Sequence, residues 1–478
     1  HNALCNRHLK QQLEVSEEYR ADYSPWLRAL PGTYLECLQG RLSDDGLEQW
    51  LGRYSMARRA QIRQCMERNG FEPGRVKPFI KREVLAKVVT KARAIQAYFN
   101  DATMAKLARE FAAFQQAIVQ TLRTVPLDVG GIPVHATIAC GLNHADIGHW
   151  LDRIMEVSSR KFFYERDGKN WDSTIQNCHF RQAYKFYEKC DPELVSFAQA
   201  CENTRGKYQD RLGRCVRYNA VGTRKSGHND TSSGNSIINV SIFVEAVLRE
   251  CSQQGVPTPC RVDVIVLGDD LLAVLHYLPD QDRFGLLDLP EFGDSLGRRL
   301  ESTERQLGIE PEARVFQDPL DVTFISGVFY PLVGSGFSFG PIMGRMLKKL
   351  FYSTRQRAPK TEAAWRSTVA ESFMAFFGDA PILRVFLKRQ ISTCKRVESD
   401  KYQAKLLDRR PPIDWTMYMW RRYQLTWEDV RTAEAFLSHL PVSPGYIYQE
   451  TLQDMVRIDT VDILERPVLG STMYRTSS

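Results

Sequence analysis

The chain has 478 residues, 43% hydrophobic and 25% charged, which excludes a disordered or fibrous polymer and supplies core enough for two to four domains or one large lobed fold. Its formal net charge of +7 permits a polyanionic partner without demanding one. The eleven cysteines include no CxxC pair, and the nearest two, Cys251 and Cys260, have no histidine at zinc-finger spacing. This pattern argues for reduced thiols and against a structural zinc or a disulfide scaffold. No apolar run reaches the roughly 18–20 residues of a membrane span, and no signal peptide opens the chain. The first residues are His-Asn-Ala rather than a methionine, so the sequence reads as trimmed or processed, with room for an anchor outside it.

Taken in order, residues 1–70 read as mainly helical. Charge then gathers in Arg75–Arg93, where Lys77, Lys81, Lys87, Lys91 and Arg93 alternate loosely with Val76, Phe79, Val84, Val88 and Val89. Such alternation with β-branched residues predicts a basic β-ribbon. A helix is predicted over Asp101–Leu122, a Gly/Pro-punctuated connector over Pro126–Ala139, and a strand over Val157–Asp167. Cys178–Ala200 reads as helical and Tyr208–Tyr218 as a short strand or hairpin. Thr231–Glu250 is a long helix with Ile237, Ile238, Ile242, Val244 and Leu248 as its buried positions. Leu289–Leu307 is another helix, stopped by Gly308. Val322–Tyr330 and Phe337–Phe339 suggest a hairpin, and from Ile342 onward the pattern is predominantly helical. Three lobes follow: a mixed N-terminal part, a central α+β part and a helical C-terminal part.

The centre of the chain is Val264–Asp270, VIVLGDD, followed by the apolar run Leu271–Val274. It reads as a buried strand, a tight turn and a returning strand. Two adjacent carboxylates at such a tip repel each other and resist burial, and a divalent cation relieves both problems. Hard oxygen ligands favour Mg²⁺ or Mn²⁺. Two other stretches join it. Asp167–Asp172, DGKNWD, sets two aspartates at the end of a strand. Ser226–Asn235, SGHNDTSSGN, opens the long helix, with Ser226 and Gly227 in a flexible loop, Thr231 near the helix start and Asn235 one turn further along the same face.

Together these residues outline a phosphoryl-transfer site. Asp167 and Asp269, from the ends of two neighbouring strands, can hold two metal ions, with Asp270 assisting. Asp172 and Asn235 offer an acceptor and a donor/acceptor where a ribose 2′-hydroxyl would sit. Arg93, Lys81 and Lys91 would neutralise a nucleoside triphosphate.

The order Asp-x4-Asp, Ser-Gly-x3-Thr-x3-Asn, Gly-Asp-Asp resembles the palm signature of RNA-dependent RNA polymerases of positive-strand RNA viruses. Phe79–Gln96 is similar to that family's basic fingertip motif, Phe324–Pro331 to its primer-grip hairpin, and Gly340–Lys349 to the palm–thumb junction of nodavirus- and tombusvirus-like enzymes. The resemblance implies an α+β right-hand fold with closed fingertips. Fingers would span 1–160, with the fingertip motif at 75–96. The palm, bearing an antiparallel sheet, would take 161–175 and 222–340, with a fingers insertion at 176–221 and a helical thumb and tail at 341–478. It also implies metal roles for Asp167, Asp269 and Asp270 and nucleotide contacts from Lys81, Lys91, Arg93, Asp172, Ser226, Gly227, Thr231 and Asn235. Two Mg²⁺ or Mn²⁺ ions, an RNA template with its nascent strand and ribonucleoside triphosphates would be the partners. Other viral replication proteins or a second copy would join them in membrane-associated complexes of the host cytoplasm. Many relatives carry a lysine after the helix that follows Gly-Asp-Asp, as general acid for pyrophosphate; here no lysine lies between Lys225 and Lys348. Arg314 stands near that place, and an arginine that stays charged is a poor proton donor. A reverse transcriptase and a catalytically silent RNA-binding scaffold are the rival readings. Leu267, where reverse transcriptases carry an aromatic residue, and the intact aspartates disfavour them.

Overall fold

The computed structural model describes residues 4–5, 9, 11–32, 45–80, 94–209, 212–225, 228–253, 256–279, 285–289, 291–350, 352, 359–391, 412–440 and 448–461. In chain order the strands are β1 (Arg75–Ile80), β2 (Ala94–Tyr98), β3 (Leu127–Val129), β4 (Ile132–Ile138), β5 (Arg160–Gly168), β6 (Thr204–Gln209) and β7 (Cys215–Ala220). They continue with β8 (Arg261–Leu267), β9 (Asp270–Tyr277), β10 (Pro311–Phe316), β11 (Thr323–Phe324), β12 (Gly327–Pro331) and β13 (Phe337–Pro341). The described residues fall into two compact units, one from residues up to 140 and from 158–315, the other from 141–157 and from 316 onward.

The first unit is built on a six-stranded sheet in the order β10-β5-β9-β8-β4-β3. β8 and β9 are buried on both faces over Val262–Val266 and Leu271–Tyr277, which is why their sequence reads as continuous apolar runs rather than an alternation. The helix Thr231–Cys251 packs on this sheet and is buried along most of its length. Its Phe243 stacks on Tyr164 of β5 at 5.4 Å. A second sheet, β2-β1-β6-β7, carries Arg75 and Lys77 on its β1 strand, so the basic ribbon begins as expected. The helix expected after it runs Asp101–Thr124, capped by Asn100, whose side chain accepts from Thr103 N at 2.8 Å.

Several details differ from the reading of the sequence. The stretch Pro126–Ala139 is not a connector but the hairpin β3–β4, and the glycines that suggested a loop form its turn, Gly130 at φ +64° and Gly131 at φ +83°. The β4–β8 pairing is parallel, so the main sheet is mixed rather than wholly antiparallel. The helix over Cys178–Ala200 is two helices, Asn177–Cys190 and Pro192–Ala200. Asp191 ends the first and caps the second, with Pro192 at its first position. Strand β10 has no forerunner in the sequence reading.

The second unit joins the helix His144–Met155 to the hairpin β12–β13 and to the C-terminal helices. Tyr330 of β12 sits at its core, its ring 4.4 Å from Tyr418 and 5.3 Å from both Phe376 and Trp415. Buried Asp459 ties three elements together. It pairs with Arg422 at 2.8 Å and accepts from the Tyr423 hydroxyl and from Gly344 N, each at 2.7 Å.

Candidate active site

The turn between β8 and β9 is two residues long, Gly268 and Asp269, because Leu267 pairs directly with Asp270. Gly268 has φ +67°, the conformation that a two-residue hairpin turn requires at this position and that glycine adopts without cost. β5 pairs with β9 antiparallel, Arg166 opposite Leu271. Asp167, one residue beyond that last pair, lies at the same end of the sheet as the turn. Neighbouring strands are about 4.8 Å apart, so Asp167 comes to the sheet end that also carries Asp269 and Asp270. Asp167 and Asp269 are exposed and Asp270 is half-buried.

Polar side chains beneath this edge hold it in place. The Asn239 amide nitrogen donates to Gly268 O at 2.9 Å and to Asp269 O at 3.1 Å, and the Ser236 hydroxyl accepts from Gly268 N at 2.9 Å. The Asn239 oxygen in turn accepts from the guanidinium of Arg166, the residue before Asp167. Arg166 is buried and pairs with buried Glu304 at 3.3 Å, which also accepts from the Tyr164 hydroxyl at 3.0 Å. Burial pushes the Glu304 carboxyl above its ordinary pKa, against the pull of Arg166 and Tyr164. Such a pair adds little net stability; its effect is to fix geometry. One buried network therefore joins the strand that carries Asp167 to the turn that carries Asp269.

A second network underlies Asp172 and Asn235, both buried. Asp172 lies in the short helical turn Trp171–Thr174, entered through Asn170 at φ 53°. Arg224 touches both residues. Its backbone N–H donates to Asp172 O at 2.7 Å, and its Nε donates to Asn235 Oδ1 at 2.8 Å. Thr231, the first residue of the long helix, donates its hydroxyl to Lys225 O at 2.9 Å and His228 O at 2.6 Å, closing the loop that leads into the helix. Ser226, Gly227, Lys81, Lys91 and Arg93 lie outside the described residues.

Among the described residues, no three His, Cys, Asp or Glu side chains lie close enough to form a metal cage by themselves. The donor set nevertheless suits a hard cation, because Mg²⁺ keeps several waters and is bound by one or two carboxylates plus substrate phosphates. Arg314, the residue near the place of the missing lysine, lies half-buried on β10. Reasoning from sequence missed Arg166, Arg224, Ser236, Asn239 and Glu304. One signal was present: Asn235, Ser236 and Asn239 interrupt an apolar helix at the spacing that puts residues on one face.

Residues 133–284 match the family model for viral RNA-dependent RNA polymerase. The matched stretch contains Asp167, Asp172, Ser226, Gly227, Thr231, Asn235, Asp269 and Asp270. No curated protein matches the chain.

Proposed function

We propose that the chain, an RNA-directed RNA polymerase by the family model that its residues 133–284 match, adds ribonucleotides to an RNA 3′ end from the carboxylate edge of its main sheet. The observation that carries this reading is the β5–β9 register, whose last pair, Arg166 opposite Leu271, brings Asp167 to the end of the sheet that holds the Gly268–Asp269 turn. Asp167 and Asp269 would hold the divalent cations, Mg²⁺ or Mn²⁺, with Asp270 beside them. A bound pair of such ions supplies charge stabilisation to the attacking and leaving oxygens of an in-line phosphoryl transfer. The protein's own part is to hold the two carboxylates at a fixed separation through Asn239 and Arg166, and to bind and orient the nucleotide. Asp172 and Asn235 read the ribose 2′-hydroxyl. Ser226 and Gly227 would contact the template and nucleotide with Thr231 in support, and Lys81, Lys91 and Arg93 would neutralise the triphosphate.

A right hand with closed fingertips, of the nodavirus- and tombusvirus-like group, is the architecture this reading fits. The hairpin β11–β12, which holds Phe324–Pro331, would be the primer grip and the helices from residue 341 onward the thumb. Other replication proteins or a second copy, in membrane-associated complexes of the host cytoplasm, complete the proposal. No described helix is long and apolar enough to cross a membrane. The test is primer-free and primed extension on RNA templates with Mg²⁺ and then Mn²⁺. Template-directed ribonucleotide incorporation is expected from the native chain and is lost in Asp269→Ala with the fold intact. Full activity in that variant would place the chemistry elsewhere.

A further inference from the structure

Arg224 is 5% exposed and engaged on several sides. Besides its contacts to Asp172 and Asn235, its Nη1 pairs with Asp230 Oδ2 at 3.3 Å, and its guanidinium lies over the Phe180 ring, 4.8 Å from the centroid. Asp230 is itself braced, accepting from the Tyr187 hydroxyl at 2.6 Å and the Ser233 hydroxyl at 3.1 Å. The guanidinium therefore has little freedom to turn.

An asparagine amide presents an acceptor on one side and a donor on the other, and the two faces have nearly the same shape. What decides between them is the partner. A guanidinium has donors only, so the atom of Asn235 facing Nε is the oxygen. That leaves the NH₂ as the one group Asn235 can offer to a ligand, and it can only donate. Asp172, whose backbone is held by the same Arg224, offers carboxylate oxygens that accept. A hydroxyl group, with one donor and spare acceptor capacity, satisfies both at once. A hydrogen in its place satisfies neither.

We infer that Arg224 is a positioning residue for sugar selection: it fixes the Asn235 amide donor-side toward the nucleotide and anchors Asp172, so that the pair recognises a ribose 2′-hydroxyl. Arg224 acts through Asn235 and Asp172 and touches no substrate itself. The inference rests on the reading that these two residues face the sugar.

The experiment compares kcat/KM for ribonucleotide and deoxyribonucleotide incorporation in the native chain, Asn235→Ala, Asn235→Asp, Arg224→Lys and the double variant Arg224→Lys with Asn235→Ala. Lysine keeps the charge beside Asp230 but, as a single point donor, does not reach both partners. Arg224→Lys is expected to lower the ribose preference by at least about tenfold, with template affinity and kcat for ribonucleotides less affected. In the double variant the preference should fall no further than in Asn235→Ala alone, since the arginine works through that amide. Asn235→Asp, nearly the same shape but without a donor, should lose the preference as fully as Asn235→Ala. An unchanged preference in Asn235→Ala would overturn the assignment of the sugar site itself. A preference lost in Asn235→Ala but native in Arg224→Lys would overturn the role of Arg224 alone. If Arg224→Lys does not fold, Asn235→Asp decides: a native preference there means that the donor face is not what the sugar meets, and the inference fails.

Discussion

Asn239→Ala is the substitution that most sharply probes how the Gly268–Asp269 turn is held. It removes two hydrogen bonds to the carbonyls of Gly268 and Asp269 and one from buried Arg166. Neutral bonds of this kind contribute about 1 kcal/mol each and a charge-assisted one about 2 kcal/mol, so the loss is about 4 kcal/mol. Arg166 keeps Glu304 as its ion-pair partner, which prevents the larger penalty of a stranded buried charge. In a unit of this size the melting temperature should fall by on the order of 10 °C. Because the lost bonds hold the peptide that carries Asp269, kcat should drop by about 100-fold, the cost of roughly 1 Å of misplacement. The assays are thermal unfolding followed by circular dichroism and single-nucleotide incorporation with template saturating. A melting temperature within about 2 °C of the native value, together with unchanged kcat, would refute the idea that this amide clamps the turn.

Two further outcomes follow from the buried charges. Lys225 is 3% exposed, and burial, with Arg224 nearby, brings its pKa down to about 7, while in the unfolded chain the amine keeps its proton to about 10.4. Between those values the unfolded state binds more protons. The contribution is therefore complete above the unfolded pKa and is lost as pH falls toward about 7, with a slope of up to roughly 1.4 kcal/mol per pH unit. Denaturant midpoints measured from pH 7 to 9 should rise, and Lys225→Met should flatten the rise; an equal slope in both chains contradicts the assignment. In the second unit, Asp459→Ala strands buried Arg422 and leaves Tyr423 and Gly344 N without their acceptor, at a cost of about 3–5 kcal/mol. Limited proteolysis should then cut the C-terminal helices faster, and a native cleavage rate would show that Asp459 is not the tie between them.

Much of the local structure around the candidate site was legible in the sequence. The apolar runs around Gly268–Asp269 admit one interpretation, since residues buried on both faces of a central hairpin must be apolar throughout, and the turn demands its glycine. The long helix from Thr231 was equally legible from its start and its apolar positions. What stayed hidden depends on partners distant in sequence. Arg166 looks like an ordinary charged residue in a strand until Asn239, 73 positions away, and Glu304 are folded against it. Arg224 gives no local sign that it links Asp172 to Asn235. The hairpin β3–β4 was misread because Gly130 and Gly131 mark a turn and a loop alike; only pairing with β8 distinguishes them.

The claim on which everything else rests is that carboxylates from two strands converge to hold divalent cations. Titrating Mn²⁺ into the RNA-free protein by calorimetry, in the native chain and in Asp167→Asn and Asp269→Asn, tests it without relying on turnover. Both variants should bind at least about tenfold more weakly, and neither should melt below the native protein, because each substitution removes a repelling charge. Native Mn²⁺ affinity in either variant would contradict the claim.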